Sequence, residues 1–231
     1  MAEPFQLVSA GRAGNHLFQF GACELMSRKT GRPFVVTLDE PWLLGSVLKY
    51  EPRFGTASEK VTEYFEEWRL FEGHEQFIKE LFAFRTPLVL ADECIIHLRL
   101  GDMARHTASA GDAYPVAMAQ HIPRGVPVYI MSETPGHPYA IRCRDVIRQL
   151  GFAVNILPAN TLAYDFVRMT QARYLLGSPS TLIFWISLLG ALNLPQKQST
   201  IFISPKMPMV SRQPAMFGPS PWFCRLVNIH A

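Results

Sequence analysis

The sequence predicts an α/β fold made of two Rossmann-like halves with parallel sheets around a cleft. Three observations carry that expectation. Short apolar runs that read as strands alternate with helical stretches over most of the 231 residues. A glycine-bearing turn joins the first strand to the first helix, the local geometry that opens a doubly wound sheet. The length suits one large domain or two small ones that share a cleft.

Element by element, Phe5–Ser9 reads as a strand and Gly11-Arg-Ala-Gly14 as the turn. Leu17, Gly21 and Leu25, with Phe18, Ala22 and Met26, then fall at helical spacing until Gly31 and Pro33 stop the helix. Phe34–Leu38 returns as a strand. Residues 61–84 are rich in aromatics and glutamates and read as helix, broken near Gly73. A junction at 85–91, near Pro87, separates an N-terminal half, 1–90, from a C-terminal half, 91–231. In the second half strands are expected at 94–100, 126–131, 152–157, 174–176 and 200–203. Helices are expected at 139–150, 162–173 and 180–192.

Composition narrows the function classes. A net charge of +3 is too mild to argue for nucleic acid, though it suits an anionic ligand. Cys23, Cys94, Cys143 and Cys224 form no C-x-x-C pair, so neither a zinc knuckle nor a redox motif is indicated. Their wide spacing reads as reduced, mostly buried thiols. The first residues lack the regions of a signal peptide. The most apolar run, 181–194, falls short of the ~20 residues that cross a bilayer. A cytoplasmic protein is the expectation. His106, His121 and His137 have no ligand-like spacing, and no Asp-x-Asp pair occurs.

Three segments carry chemistry. In His97-Leu-Arg-Leu-Gly-Asp102, His97 and Arg99 share one strand face and Gly101 ends the strand. That places Arg99 near the carboxyl end of a sheet strand, where open α/β sheets bind ligands and where a guanidinium can fork onto a diphosphate. An Arg99–Asp102 ion pair beside a core histidine is the plainer alternative. In Leu176-Gly-Ser-Pro-Ser-Thr181, Ser178, Ser180 and Thr181 precede an apolar helix whose free N–H groups attract phosphate; simple capping is the plainer alternative. Gly11-Arg-Ala-Gly-Asn-His16 opens a helix without matching a nucleotide fingerprint, and facing the cleft it brings Arg12, Gly14, Asn15 and His16 to an acceptor or a pyrophosphate. Ser132 and Glu133 stand at another strand end, where Glu133 can accept from a ribose or a base; a solvated loop is the equal alternative.

These residues resemble the α1,2-fucosyltransferases. Gly11-Arg-Ala-Gly-Asn-His-Leu-Phe-Gln19 is similar to their G-x-x-G-N-Q-x-F-Q opening, and His97–Asp102 to their H-x-R-x-G-D motif. Tyr129-Ile-Met-Ser-Glu133 resembles their strand ending in F-S-D, and residues 175–185 their late S-x-S-x-F-x-W-W block. The protein O-fucosyltransferases, with a G-R-x-G-N-Q opening, are a wider relative. The resemblance implies a GT-B-like fold and an inverting, metal-independent fucosyltransferase. It would move fucose from GDP-fucose to a glycan hydroxyl with no cofactor besides that donor. It implies Arg99 on the β-phosphate, His97 near fucose or phosphate, and Asp102 ordering the loop or the guanosine side. Ser178, Ser180 and Thr181 would bind phosphate, with Asn15 at the reacting centre or acceptor. Asp102, His16 and a water ordered by Asn15 are the candidate bases. His16 stands for the usual glutamine, Leu100 for a frequent arginine, Glu133 for an aspartate and Ile186 for a second tryptophan. The N-terminal half is short for the family. Another nucleotide sugar as donor, or a non-catalytic nucleotide- or glycan-binding protein, are the alternatives.

Overall fold

The computed structural model describes residues 2–101, 108, 111–203, 216 and 221–229. Two all-parallel sheets result. In the first, β1 (Phe5–Ser9) lies between β2 (Phe34–Leu38) and β3 (Glu59–Val61). The helix α1 (Ala13–Thr30) links β1 to β2 and ends on Gly31, whose φ of 69° closes the last turn onto Ser27. A 3₁₀ turn at Trp68–Leu70 and α2 (Glu75–Leu81) follow. Helix therefore occupies far less of 61–84 than its composition suggests. Phe65 at φ 55° and Gly73 at φ 79° interrupt the chain on either side of the 3₁₀ turn.

The second sheet has the order β6-β5-β4-β7-β8-β9. Its strands are β4 (Ala91–His97), β5 (Val128–Met131), β6 (Val154–Ile156), β7 (Ala172–Gly177), β8 (Gln198–Ile203) and β9 (Arg225–Asn228). Between them run α3 (Ala113–Ala119), α4 (Pro138–Gln149), α5 (Leu162–Gln171) and α6 (Thr181–Asn193). The chain starts at β4 in the middle, moves outward to β6 and crosses back to β7. The strand order thus reverses between β4 and β7, the switch point at which doubly wound sheets open a crevice. In register, His97 is flanked by Met131 on one side and Gly177 on the other, so the segments that follow all three strands emerge together.

Both faces of this sheet are covered, as a parallel sheet requires. Cys94, Ile96, Val128 and Ile130 pack against Tyr114 and Met118 of α3 and Tyr139, Cys143 and Ile147 of α4. On the other face Ile95, Leu175 and Ile201 share a core with Phe166 and Met169 of α5 and with nearly all of α6. That core continues into the first sheet through Leu17, Phe18 and Phe20 of α1. Phe18 meets Phe184 at 4.6 Å and Trp185 at 5.2 Å between ring centroids, and Trp185 also meets Phe71 and Phe82. A helix that is apolar all round must be buried on all sides, and α6 is. All four cysteines are free, three of them buried, and burial pushes their thiols up to about 12. Among the described residues no helix is long and apolar enough to cross a membrane.

Candidate active site

Strand β4 ends at His97, so Arg99 stands two residues beyond the sheet and not within it. Leu98 continues the ladder by one bond, its N–H donating to the Met131 carbonyl at 2.9 Å, and then the backbone turns out. A cavity of about 540 Å³ lies at this end of both sheets. The β1–α1 turn contributes Gly11, Arg12, Gly14 and Asn15, and the segment after β2 contributes Glu40, Pro41 and Leu43. From the second sheet come His97, Arg99, Met131, Ser132 and Glu133, and from the helices come Leu162, Asp165 and Met169 of α5 and Ser180, Thr181 and Leu182 at the start of α6.

Two helices therefore begin at one cavity. Neither α1 nor α6 has an acidic residue in its first turn. Both direct the positive end of a helix dipole at the same space. Their starts are in contact: Thr181 Oγ1 donates to Asn15 Oδ1 at 2.7 Å, across 166 residues of sequence. Gly14 makes the approach feasible, since a Cβ there would fall on Leu182 N and lie 2.6 Å from the Thr181 carbonyl carbon.

Several expected site residues have structural partners as well. Ser180 caps α6, its Oγ accepting from Ile183 N at 3.1 Å. Ser132 Oγ accepts from Thr134 N at 3.1 Å. Glu133 Oε1 accepts from Gly101 N at 2.7 Å and so holds the turn that follows Arg99. His97 is 7% exposed. Burial holds its imidazole below the ordinary value, while Glu133 pulls it up and Arg99 pushes it down. Its Nδ1 has no hydrogen-bond partner among the described residues.

Two expected residues stand apart from the cavity, and one lies outside the described residues. Ser178, expected on phosphate, is buried beside Tyr114 and does not line the cavity. His16, a candidate base, is 1% exposed and stacks on Phe20 at 5.9 Å, with Trp42 at 6.4 Å. Each helical residue turns by about 100°, so Asn15 faces the cavity while His16 faces the core of the first sheet. Asp102 is outside the described residues. Burial lowers the His16 pKa from 6.5, against Glu40 and Asp39. An unfolded chain takes up that proton first as pH falls. Stability contributed by the neutral ring is thus present above pH 6.5 and lost below it. His16→Phe is expected to leave nucleotide affinity unchanged and to flatten the loss of stability on acidification, read by denaturant unfolding from pH 7 downward.

Two carboxylates in the cavity, Glu40 and Asp165, carry no motif. Asp165, in the first turn of α5, shares a helix face with Leu162 and Met169. It is half-buried, and burial raises its carboxyl above the ordinary value while Arg168 opposes. Its place depends on how α5 packs against β7 and α6, which no local pattern encodes. Among the described residues no three His, Cys, Asp or Glu side chains gather to hold a metal ion.

No family model and no curated protein matches the chain. Solved structures do. The E. coli heptosyltransferase WaaC with ADP is similar at a TM-score of 0.53 and 9% identity, over 98% of this chain and 93% of that one. E. coli ADP-heptose lps heptosyltransferase II is similar at a TM-score of 0.51 and 10% identity, over 97% of this chain and 90% of that one. Both are heptosyltransferases, and neither is a fucosyltransferase. At such identity the likeness speaks for architecture: the chain has a GT-B-like glycosyltransferase fold.

Proposed function

We propose that this protein is an inverting glycosyltransferase that takes fucose from GDP-fucose and passes it to a hydroxyl of a glycan acceptor. The observation that carries this reading is the meeting of two helix starts with Arg99 and Arg12 in one cavity. Helix N-termini and a guanidinium fork are a diphosphate-binding set. In the reaction the acceptor oxygen bonds to the anomeric carbon, and the bond from that carbon to the β-phosphate oxygen breaks. The electron pair leaves with GDP. Charge therefore grows on the diphosphate, where Arg99 and the helix starts can meet it. The acceptor proton goes to a carboxylate of the wall, and Glu40, from the segment after β2, is the one on the side of the first sheet.

The base is the finer question. Leu162, Met131 and Met169 form an apolar wall on which a purine can lie, and Asp165 stands among them. Guanine offers two adjacent N–H donors on one edge, which a carboxylate accepts as a pair. Adenine has an acceptor in the middle of that edge. Asp165 and the motif blocks together favour GDP. A second reading, an ADP-sugar donor, is favoured by the fold likeness to enzymes solved with ADP or named for ADP-heptose.

Calorimetric titration of GDP, ADP and UDP separates the two. The wild type is expected to prefer GDP, and Asp165→Asn to reduce the GDP-to-ADP preference roughly 10- to 100-fold, the worth of a paired contact. A wild type that prefers ADP would establish the second reading. Absence of any nucleotide binding would refute both.

A further inference from the structure

Lys197 lies in the short link between α6 and β8 and is 8% exposed, although its side chain ends in an amine. Nζ donates to the Met169 carbonyl at 2.6 Å and to the Ala172 carbonyl at 2.8 Å. Those carbonyls bracket the point where α5 stops and β7 begins. No loop intervenes, since Gln171 closes the helix and Ala172 opens the strand. The last carbonyls of a helix have no partners within it, and here a lysine from a distant link supplies one.

The path to that point is prepared on α6. A Cβ on Gly190 would fall on Lys197 Cδ and lie 2.6 Å from Cε. Glycine inside a helix weakens it, and the room it frees is filled by the lysine stem. Burial draws the amine down to about 7, while Cys94 and Glu93 of β4 pull it back. Glu93 also takes both Nε and Nη2 of Arg168, at 3.2 and 2.9 Å, which pins the same end of α5 a second time.

Met169 joins this anchor to the cavity. Its carbonyl is held by Lys197, and its side chain lines the cavity one turn after Asp165. Lys197 itself does not line the cavity. We propose that Lys197 is a positioning residue for donor binding: by bonding the Met169 and Ala172 carbonyls it fixes where α5 ends, and thereby where Asp165 and Met169 stand in the wall that receives the base. This rests on the donor-site reading above.

Titration of GDP and of pyrophosphate into wild type, Lys197→Met and Gly190→Ala tests it. Pyrophosphate engages Arg99 and the helix starts alone, so it reports the rest of the site. In Lys197→Met, GDP is expected to weaken about 10-fold, the consequence of freeing two buried carbonyls and the wall they hold, with pyrophosphate affinity unchanged. Gly190→Ala keeps the lysine but displaces its stem, and the same split is expected. Should Lys197→Met not fold, Lys197→Gln, which keeps a donor, and Gly190→Ala carry the comparison. Equal weakening of both ligands would assign the lysine to general stability and overturn the proposal, as would unchanged GDP binding. A wild type that binds neither ligand removes the donor reading and this role with it.

Discussion

Arg99→Ala is expected to lower sugar transfer by roughly 10²–10³ and to weaken GDP binding as well, the magnitude seen when a preorganised donor to developing charge is removed. The position explains why. Arg99 leaves the sheet where the strand order reverses, two residues past β4, and it shares a cavity with the starts of α1 and α6. In the proposed reaction, departure of GDP would concentrate negative charge there. A guanidinium already standing in the cavity would meet that charge with little reorganisation. Arg99→Lys keeps the charge and loses the fork, so an intermediate loss is expected. Transfer kinetics paired with calorimetry of GDP read both effects. GDP affinity equal to wild type in Arg99→Ala would return the His97 to Gly101 segment to a structural role.

Gly14→Ala is expected to cost about 3 kcal/mol or more of stability and to abolish GDP binding. The added methyl would meet Leu182 N and the Thr181 carbonyl carbon, and backbone atoms cannot rotate aside as a side chain can. The starts of α1 and α6 must therefore move apart. That breaks the Thr181–Asn15 bond and opens the end of the cavity where the proposed diphosphate would lie. A loss of that size lowers Tm by about 6–12 °C in a chain of this length. Gly136→Ala is the control, because a methyl there meets nothing within 4 Å. Thermal unfolding of both variants, with GDP titration of Gly14→Ala, distinguishes a close-packed glycine from one that is merely flexible. An unchanged Tm in Gly14→Ala would contradict the contact.

The parts of the fold legible in the sequence were those with local causes. Apolar runs bounded by glycine and proline mark β1 and β2, and Ser180 marks the start of α6 one residue ahead. Two edge strands were missed for a physical reason. Glu59-Lys60-Val61 is short, polar and half-solvated, and β9 is equally exposed, so each is a strand only because a neighbour offers hydrogen bonds. The seven residues of α3 likewise carry too little periodicity to be read. In the candidate site, His97, Arg99, Asn15, Ser180 and Thr181 were marked by motif spacing, and they line one cavity. Asp165 was not, because its position depends on how α5 packs and not on any local pattern. His16 was drawn to the cavity by its neighbour Asn15, and one helical step separates their fates.

The core shared by α1 and α6 has a consequence for how the chain is made. A three-stranded sheet with one long helix is at the lower limit of independent stability. Its chief apolar partner, α6, lies at residues 181–193. During synthesis residues 1–90 emerge with Phe18 and Phe71, which pack on Trp185 of α6, lacking that partner, and wait for about another hundred. At ~5–20 residues per second that interval is roughly 5–20 seconds. The nascent N-terminal segment is thus an expected chaperone client, and ribosome stalling before α6 is the point at which it would be captured.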